Sequence, residues 1–164
     1  MIKYLFFLFI FLSISTHTVL SQEISEHSIG LRLSNGDGFW AEASYQNALS
    51  TNTRVELGLA LQGKSTYKAI KLTGIHQWVF TIDNGLNWYV GPGIGGGVLD
   101  YDTRINGRDD KKTFGFITGN IGIEYNFDFP LLISFDFRPE IYFDSYSNND
   151  ISFNFGLSAR YQFN

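Results

Sequence analysis

Ten ionisable side chains of this sequence share one parity within alternating runs. They are Arg32, Arg54, Lys71, Arg138 and Arg160, with Glu42, Glu56, Glu124, Asp136 and Glu140. Five bases and five acids balance. On a water-facing surface such a set needs no partner. Inside a dry interior each ion needs an opposite ion and hydrogen bonds to its remaining lone pairs or protons. Arginine suits that setting, because its planar fork binds a carboxylate with two hydrogen bonds. The chemistry these residues suggest is mutual neutralisation. Glu124, Asp136 and Arg138, with Arg54 and Glu56, could further act as a plug or gate.

Nucleophilic chemistry has one candidate. His27 lies between Glu26 and Ser28, and a Ser/His/Glu set is the kind that serves an ester hydrolase. Neighbours along a strand point to opposite faces, however, so no catalytic residue is assigned. His76 stands two residues from Trp78 and reads as an interfacial residue. The glycine run Gly91–Gly97 (GPGIGGG) lacks the Lys-Ser/Thr of a phosphate loop. It fits a strand whose inner face is cleared of side chains. The chain has no cysteine, which excludes a disulfide framework, a Cys zinc site and a thiol nucleophile. No cofactor or metal residue is assigned. Net charge is −4 and the pI about 5.2, and no basic patch offers itself to a nucleic acid.

The elements that must position the ten charges are strands. Period-two alternation runs through residues 25–34, 39–46, 53–62, 67–80, 87–99, 113–127, 131–143 and 151–163. Thr53–Gln62 shows it most cleanly, with Val55, Leu57, Leu59 and Leu61 opposite Arg54, Glu56, Gly58 and Ala60. Turn-forming residues separate the runs, including Asn35–Gly38 and Asp83-Asn84-Gly85. Pro92 inside the fifth run predicts a bulge. No helical stretch follows the N-terminal segment.

That segment reads as a signal peptide. Met1-Ile2-Lys3 is a short positive start, Tyr4–Leu12 an apolar run, and Val19-Leu20-Ser21 a cleavage region. The apolar run is far below the roughly 20 residues a helix needs to span a bilayer. The expected division is residues 1–21 as signal peptide and 22–164 as one domain.

Alternation alone does not say which face is inside. A soluble, lipocalin-like binding barrel would bury the aliphatic face, and a membrane barrel turns it to lipid. The content of the faces favours lipid. The polar face pairs balanced charges with glycine and serine, as a narrow eight-stranded interior requires. The apolar face is Leu, Ile, Val and Phe, with aromatic residues near the run ends. Tyr45, Trp78, Phe80, Trp88, Tyr125, Phe127, Tyr161 and Phe163 form one expected girdle, and Phe39, Tyr67, Tyr101, Phe114, Phe143 and Tyr146 the other. Charged residues are 17% of the chain, against roughly 25% in soluble domains. The fold class expected is all-β: a closed, antiparallel, up-and-down transmembrane barrel of about eight strands.

Three segments carry a resemblance. The chain closes on Ala159-Arg160-Tyr161-Gln162-Phe163-Asn164. An amphipathic final strand ending in aromatics resembles the signal read by the bacterial barrel-assembly machinery, here Tyr161 and Phe163, with Asn164 one residue beyond the usual end. Ser44–Leu49 running into Thr53–Leu57 is the second segment. The third is Gly122–Phe127 followed by Pro130 and Ser134–Pro139. Together they resemble a family of small outer-membrane β-barrel proteins of Bacteroidetes-type bacteria, built like the eight-stranded OmpA/OmpX barrels.

The resemblance implies a bacterial outer-membrane location, the assembly machinery and outer-membrane lipids, including lipopolysaccharide, as partners, and no assigned activity. Both termini would then be periplasmic, with the segments at 35–38, 63–66, 100–112 and 144–150 outside. In the longest of these, Asp100, Asp102, Asp109 and Asp110 could bind Ca²⁺. They could also bridge cations on lipopolysaccharide, while Arg104, Arg108, Lys111 and Lys112 touch its phosphates. The spacing is not that of an EF-hand, and a solvated loop accounts for it. The function expected is a structural or surface-interaction role without catalysis. A narrow channel for small solutes or ions is the alternative, and a lipid-modifying enzyme a third.

Overall fold

A computed structural model describes residues 24–36, 38–63, 67–101, 111–143 and 151–164. The signal peptide expected over 1–21 lies outside the described residues. So does most of the loop at 100–112.

Eight strands form one sheet: β1 (His27–Gly36), β2 (Gly38–Ser50), β3 (Thr53–Gly63), β4 (Tyr67–Asp83), β5 (Leu86–Tyr101), β6 (Lys111–Asn126), β7 (Leu131–Tyr142) and β8 (Ile151–Phe163). Each pairs antiparallel with the next, and β8 returns to β1 to close the barrel. The closing register runs from His27 opposite Phe163 to Asn35 opposite Phe155. Closure satisfies the ladder without a free edge, which the hydrocarbon interior of a membrane demands.

The eight alternating runs become these eight strands, most of them longer than the alternation suggests. Residues 47–50, expected in a turn, continue β2, and only residues 51–52 turn the chain. Gly85 has φ +80°, in the left-handed region that favours glycine, so Asn84-Gly85 makes the tight link between β4 and β5. Pro92 makes no bulge. The β4–β5 register is the same on either side of it, Ile75 opposite Gly93 and Trp78 opposite Val90, with the two intervening rungs unpaired. Proline removes a donor without adding a residue. Pro139 does the same between β6 and β7, where pairing passes from Thr118–Glu140 to Ile121–Phe137. The register shifts lie instead beside the turns, at Ala48/Ser50 and Thr81/Asp83.

The barrel is turned inside out relative to a soluble one. Leu57 (49%), Leu59 (45%), Phe135 (50%) and Phe155 (52%) are exposed on its outer wall. Large aliphatic and aromatic residues of that parity are exposed on all eight strands, with Tyr45, Val55, Val90, Leu131 and Phe137 half-buried among them. A soluble barrel would bury them. A continuous apolar wall of this extent far exceeds the few hundred Å² that soluble monomers expose. It is a surface for lipid.

Candidate functional site in the barrel lumen

The opposite parity points inward, and all ten charges of the sequence pattern are buried there. They form paired layers, not a row of isolated ions. Towards the end that carries the chain termini, the Arg54 guanidinium grips Glu124 with two bonds, at 3.1 and 2.6 Å. Its Nε donates to Gln77 Oε1 at 2.6 Å, and its plane lies 5.0 Å from the Tyr89 ring centroid.

The middle layer centres on Glu56. Its carboxylate accepts from Arg138 Nη2 (2.7 Å), Arg160 Nη2 (3.0 Å), Gln46 Nε2 (2.8 Å), Gln77 Nε2 (3.0 Å) and Ser44 Oγ (3.1 Å). Arg138 also donates to Glu42 at 3.0 Å and stands 3.3 Å from Asp136. Asp136 in turn accepts from Arg32 Nε and Nη2, at 2.9 and 2.6 Å. Arginine recurs because one guanidinium can serve acids from several strands at once. Further out, Lys71 donates to Glu140 at 2.8 and 3.1 Å, and Tyr142 Oη donates to the same carboxylate at 2.5 Å.

Glycines make the room. An added Cβ at Gly58 would strike the Glu42 carboxylate, at Gly156 the Arg32 guanidinium, and at Gly122 the Tyr89 ring. In the glycine run, Gly95 and Gly97 face the rings of Phe116 and Phe114. The run is thus a floor for aromatic rings, in keeping with a cleared inner face.

Those rings correct the second aromatic girdle. Phe114, expected at the lipid interface, is buried in the lumen with Trp40, Phe116, Tyr142 and Leu99. Tyr67 packs against the same cluster. Parity gives the reason: Phe114 is in phase with Phe116, Asn120 and Glu124, which all point inward. Phe39 and Phe143 do face outward, while Tyr146 and the Tyr101 side chain lie outside the described residues. The apolar cluster caps the lumen at the end away from the termini. Lys71 lies against it, 4.8 Å from the Trp40 and 5.3 Å from the Phe116 ring centroids.

The sequence pattern missed the amides. Gln77 Nε2 donates to Asn120 Oδ1 at 2.7 Å across Gly91, which has no side chain to intervene. The two residues tie β4 to β6 at the level where Pro92 and Pro139 interrupt the ladders. Their inward parity was the available signal.

The hydrolase candidate does not assemble. Ser28 is buried and donates to Gln46 Oε1 at 2.8 Å. His27 is on the outer wall, its Nδ1 2.9 Å from Tyr45 Oη and its ring 5.4 Å from Phe163. His76 is also on the outer wall, edge-on to Trp78. Tyr161 and Phe163 project outward from β8 at the end with the termini. No group of acids and histidines suited to a metal ion occurs among the described residues.

A closed eight-stranded barrel with a lipid-facing exterior and an ion-paired lumen is an integral outer-membrane β-barrel. The chain belongs to the outer membrane protein beta-barrel domain family, whose model matches residues 25–163, and it is a bacterial outer-membrane protein. None of the curated proteins matches it. Solved structures share its fold at low identity. The N-terminal β-barrel domain of Pseudomonas aeruginosa OprF is 13% identical with a TM-score of 0.69, over 84% of this chain and 96% of that one. Neisserial surface protein A is 13% identical with a TM-score of 0.64, over 84% and 94%. The outer membrane enzyme PagL is 10% identical with a TM-score of 0.52, over 83% and 99%.

Proposed function

We propose that this protein is a sealed, non-catalytic barrel that serves as a structural or surface-interaction element of the outer membrane. One observation carries the reading: the lumen is filled by its own side chains. The ion-paired layers occupy its middle and the Trp40–Phe114–Phe116–Tyr142 cluster its far end. An eight-stranded barrel leaves little space beyond what side chains fill, and these include several of the largest. A solute would have to displace paired ions from one another, at several kcal/mol for each pair broken. An outer membrane enzyme, PagL, shares this fold, and the likeness to it extends to the fold alone. The separation of Ser28 from His27 speaks for the non-catalytic reading. The segments 44–57 and 122–139 further ally the chain with the small barrels of Bacteroidetes-type bacteria. Membrane lipids and the barrel-assembly machinery, through Tyr161 and Phe163, are the partners this reading assigns.

The test is conductance. Purified protein in planar bilayers is expected to give no discrete current steps under applied voltage. Reproducible steps whose size changes in Arg138→Ala would overturn the sealed reading in favour of a channel.

Topology has its own test. Short turns belong on the periplasmic side of such barrels and long loops outside. The turns at 51–52 and 84–85 share an end with both termini. Because the chain lacks cysteine, single cysteines report cleanly. Asn35→Cys is expected to react with a membrane-impermeant maleimide on intact cells, and Asn84→Cys only after the outer membrane is permeabilised. The reverse pattern would invert the orientation.

A further inference from the structure

Of the eight seams in the barrel, only the one between β8 and β1 joins strands with no connecting segment. A hairpin's register is fixed by its turn type and loop length. This seam has neither, so its register must be specified by side chains. Alternation excludes a one-residue slip, which would turn every lumen-facing residue of a strand to lipid. It does not exclude a slip of two. Such a slip is not a local error, because strand tilt, stagger and barrel diameter are linked. A changed register at this seam would change the width of the whole lumen.

Two arginines cross the seam in opposite directions. Arg160 on β8 lies opposite Gly30 on β1, and Gly30 lies opposite Ser44 on β2. The Arg160 side chain runs over Gly30, and its Nε donates to Ser44 Oγ at 2.9 Å and its Nη2 to Glu56 on β3 at 3.0 Å. Arg32 on β1 runs the other way. It passes over Gly156 on β8, and its Nε and Nη2 donate at 2.9 and 2.6 Å to Asp136 on β7, which lies opposite Gly156. Each guanidinium therefore ties its own strand to one beyond the seam. Each path is open because it crosses a glycine. An added Cβ at Gly156 would strike the Arg32 guanidinium, and one at Gly30 would strike the Ala159 carbonyl oxygen of β8. Sliding β1 by two residues brings Ser28 or Arg32 opposite Arg160 in place of Gly30. It also puts Asn154 or Ser158 beneath Arg32 in place of Gly156. Both slips close both paths, and one sets Arg32 directly against Arg160, a like-charge pair.

We propose that these two crossed arginines, each running over a glycine of the other strand, set the register in which the barrel closes and with it the width of the lumen. The chain end adds a stop. Asn164, one residue past the last aromatic, accepts the Glu26 N–H through its Oδ1 at 3.3 Å. The Glu26 carbonyl accepts the Ala48 N–H of β2 at 2.8 Å. The native register is thereby held beyond the His27–Phe163 rung. This gives Arg32 and Arg160 a role in closure, beyond filling a sealed lumen, and it holds whichever end of the barrel faces outward.

The experiment refolds the chain into phosphatidylcholine vesicles with no assembly machinery present, and reads the register with cysteine pairs on the lipid-facing parity. Leu31→Cys/Ala159→Cys reports the native register, in which these positions are opposite each other. Leu31→Cys/Leu157→Cys and Leu31→Cys/Tyr161→Cys report the two slips. Copper–phenanthroline oxidation joins opposed cysteines, and the product is a reductant-sensitive mobility shift of the denatured chain. With the lumen unaltered, the native product is expected to dominate. Gly30→Ser and Gly156→Ser obstruct the two paths. Each is expected to raise the slipped products roughly tenfold, the ratio given by loss of one charge-assisted hydrogen bond. Gly115→Ser, on the lipid-facing wall, is expected to leave them unchanged. Heat-modifiable gel migration checks that each variant is folded. Where a glycine variant does not fold, Arg32→Lys/Arg160→Lys is read in its place, with the same rise expected. Lysine keeps the charge but lacks the fork that serves several acceptors at once. Slipped products no higher than in wild type, in the folded variants, would overturn the proposal.

Discussion

Replacing Glu56 by alanine is expected to lower the unfolding free energy by about 3–5 kcal/mol, the cost typical of breaking a buried ion pair from one side. Five donors converge on this carboxylate: the guanidiniums of Arg138 and Arg160, the amides of Gln46 and Gln77, and the Ser44 hydroxyl. Arg138 keeps Glu42 and Asp136 as partners. Arg160 keeps only the hydroxyls of Ser44 and Ser134, so its charge becomes the uncompensated one. It has nowhere to go, because the closed ladder on both sides of β8 fixes its backbone. Urea unfolding of protein refolded into phosphatidylcholine vesicles, followed by tryptophan fluorescence, measures the loss. Glu56→Gln retains the volume and one acceptor, so it should fall between wild type and alanine. A loss below about 1 kcal/mol for the alanine variant, the value of an exposed pair, would mean that water reaches the layer. The sealed lumen would then be wrong.

The network is legible in the sequence as a set but not as a set of pairs. Period two puts Arg54 and Glu56 on one face, and five acids balance five bases, so an enclosed, self-neutralising interior follows from composition. Which acid meets which base depends on register and on the short span across the lumen. Arg54 meets Glu124, 70 residues away in sequence, and Arg32 meets Asp136, 104 residues away. Alternation within one strand carries no information about such distances. The location of the wall is legible because lipid-facing and lumen-facing residues must alternate on every strand. The apolar cap at the end away from the termini is legible only in part. Aromatic residues near strand ends suggest girdles, and position groups Phe114 with them, although its parity points inward. The prolines are visible, but their effect is not a bulge. Pro92 deletes a donor and leaves the count of residues between rungs unchanged, so the register survives it.

Gly122→Val is expected to cost about 3 kcal/mol, at the upper end of the usual range for overpacking, while Gly115→Val stays within about 0.5 kcal/mol of wild type. Both glycines are on β6, seven residues apart, and they differ in parity. Gly122 faces the lumen. Its new Cβ would meet the Tyr89 ring and hydroxyl at 2.5 Å and the Phe135 carbonyl oxygen at 2.7 Å. The carbonyl belongs to the neighbouring strand and cannot withdraw without breaking the β6–β7 ladder. The ring cannot retreat easily either, because Tyr89 is fully buried and the Arg54 guanidinium lies over it. Displacing the ring also disturbs the Arg54–Glu124 pair behind it. Gly115 faces lipid, and a valine there meets only ordinary contacts and gains β-propensity. The same urea assay compares the two variants. Tyr89→Ala in the Gly122→Val background separates the two obstacles. Recovery beyond additivity assigns the clash to the ring, and strict additivity assigns it to the Phe135 carbonyl. If both valine variants are equally tolerated, the glycines of the inner face are not holding space for the side chains they oppose, and the lumen is looser than its ion pairs require.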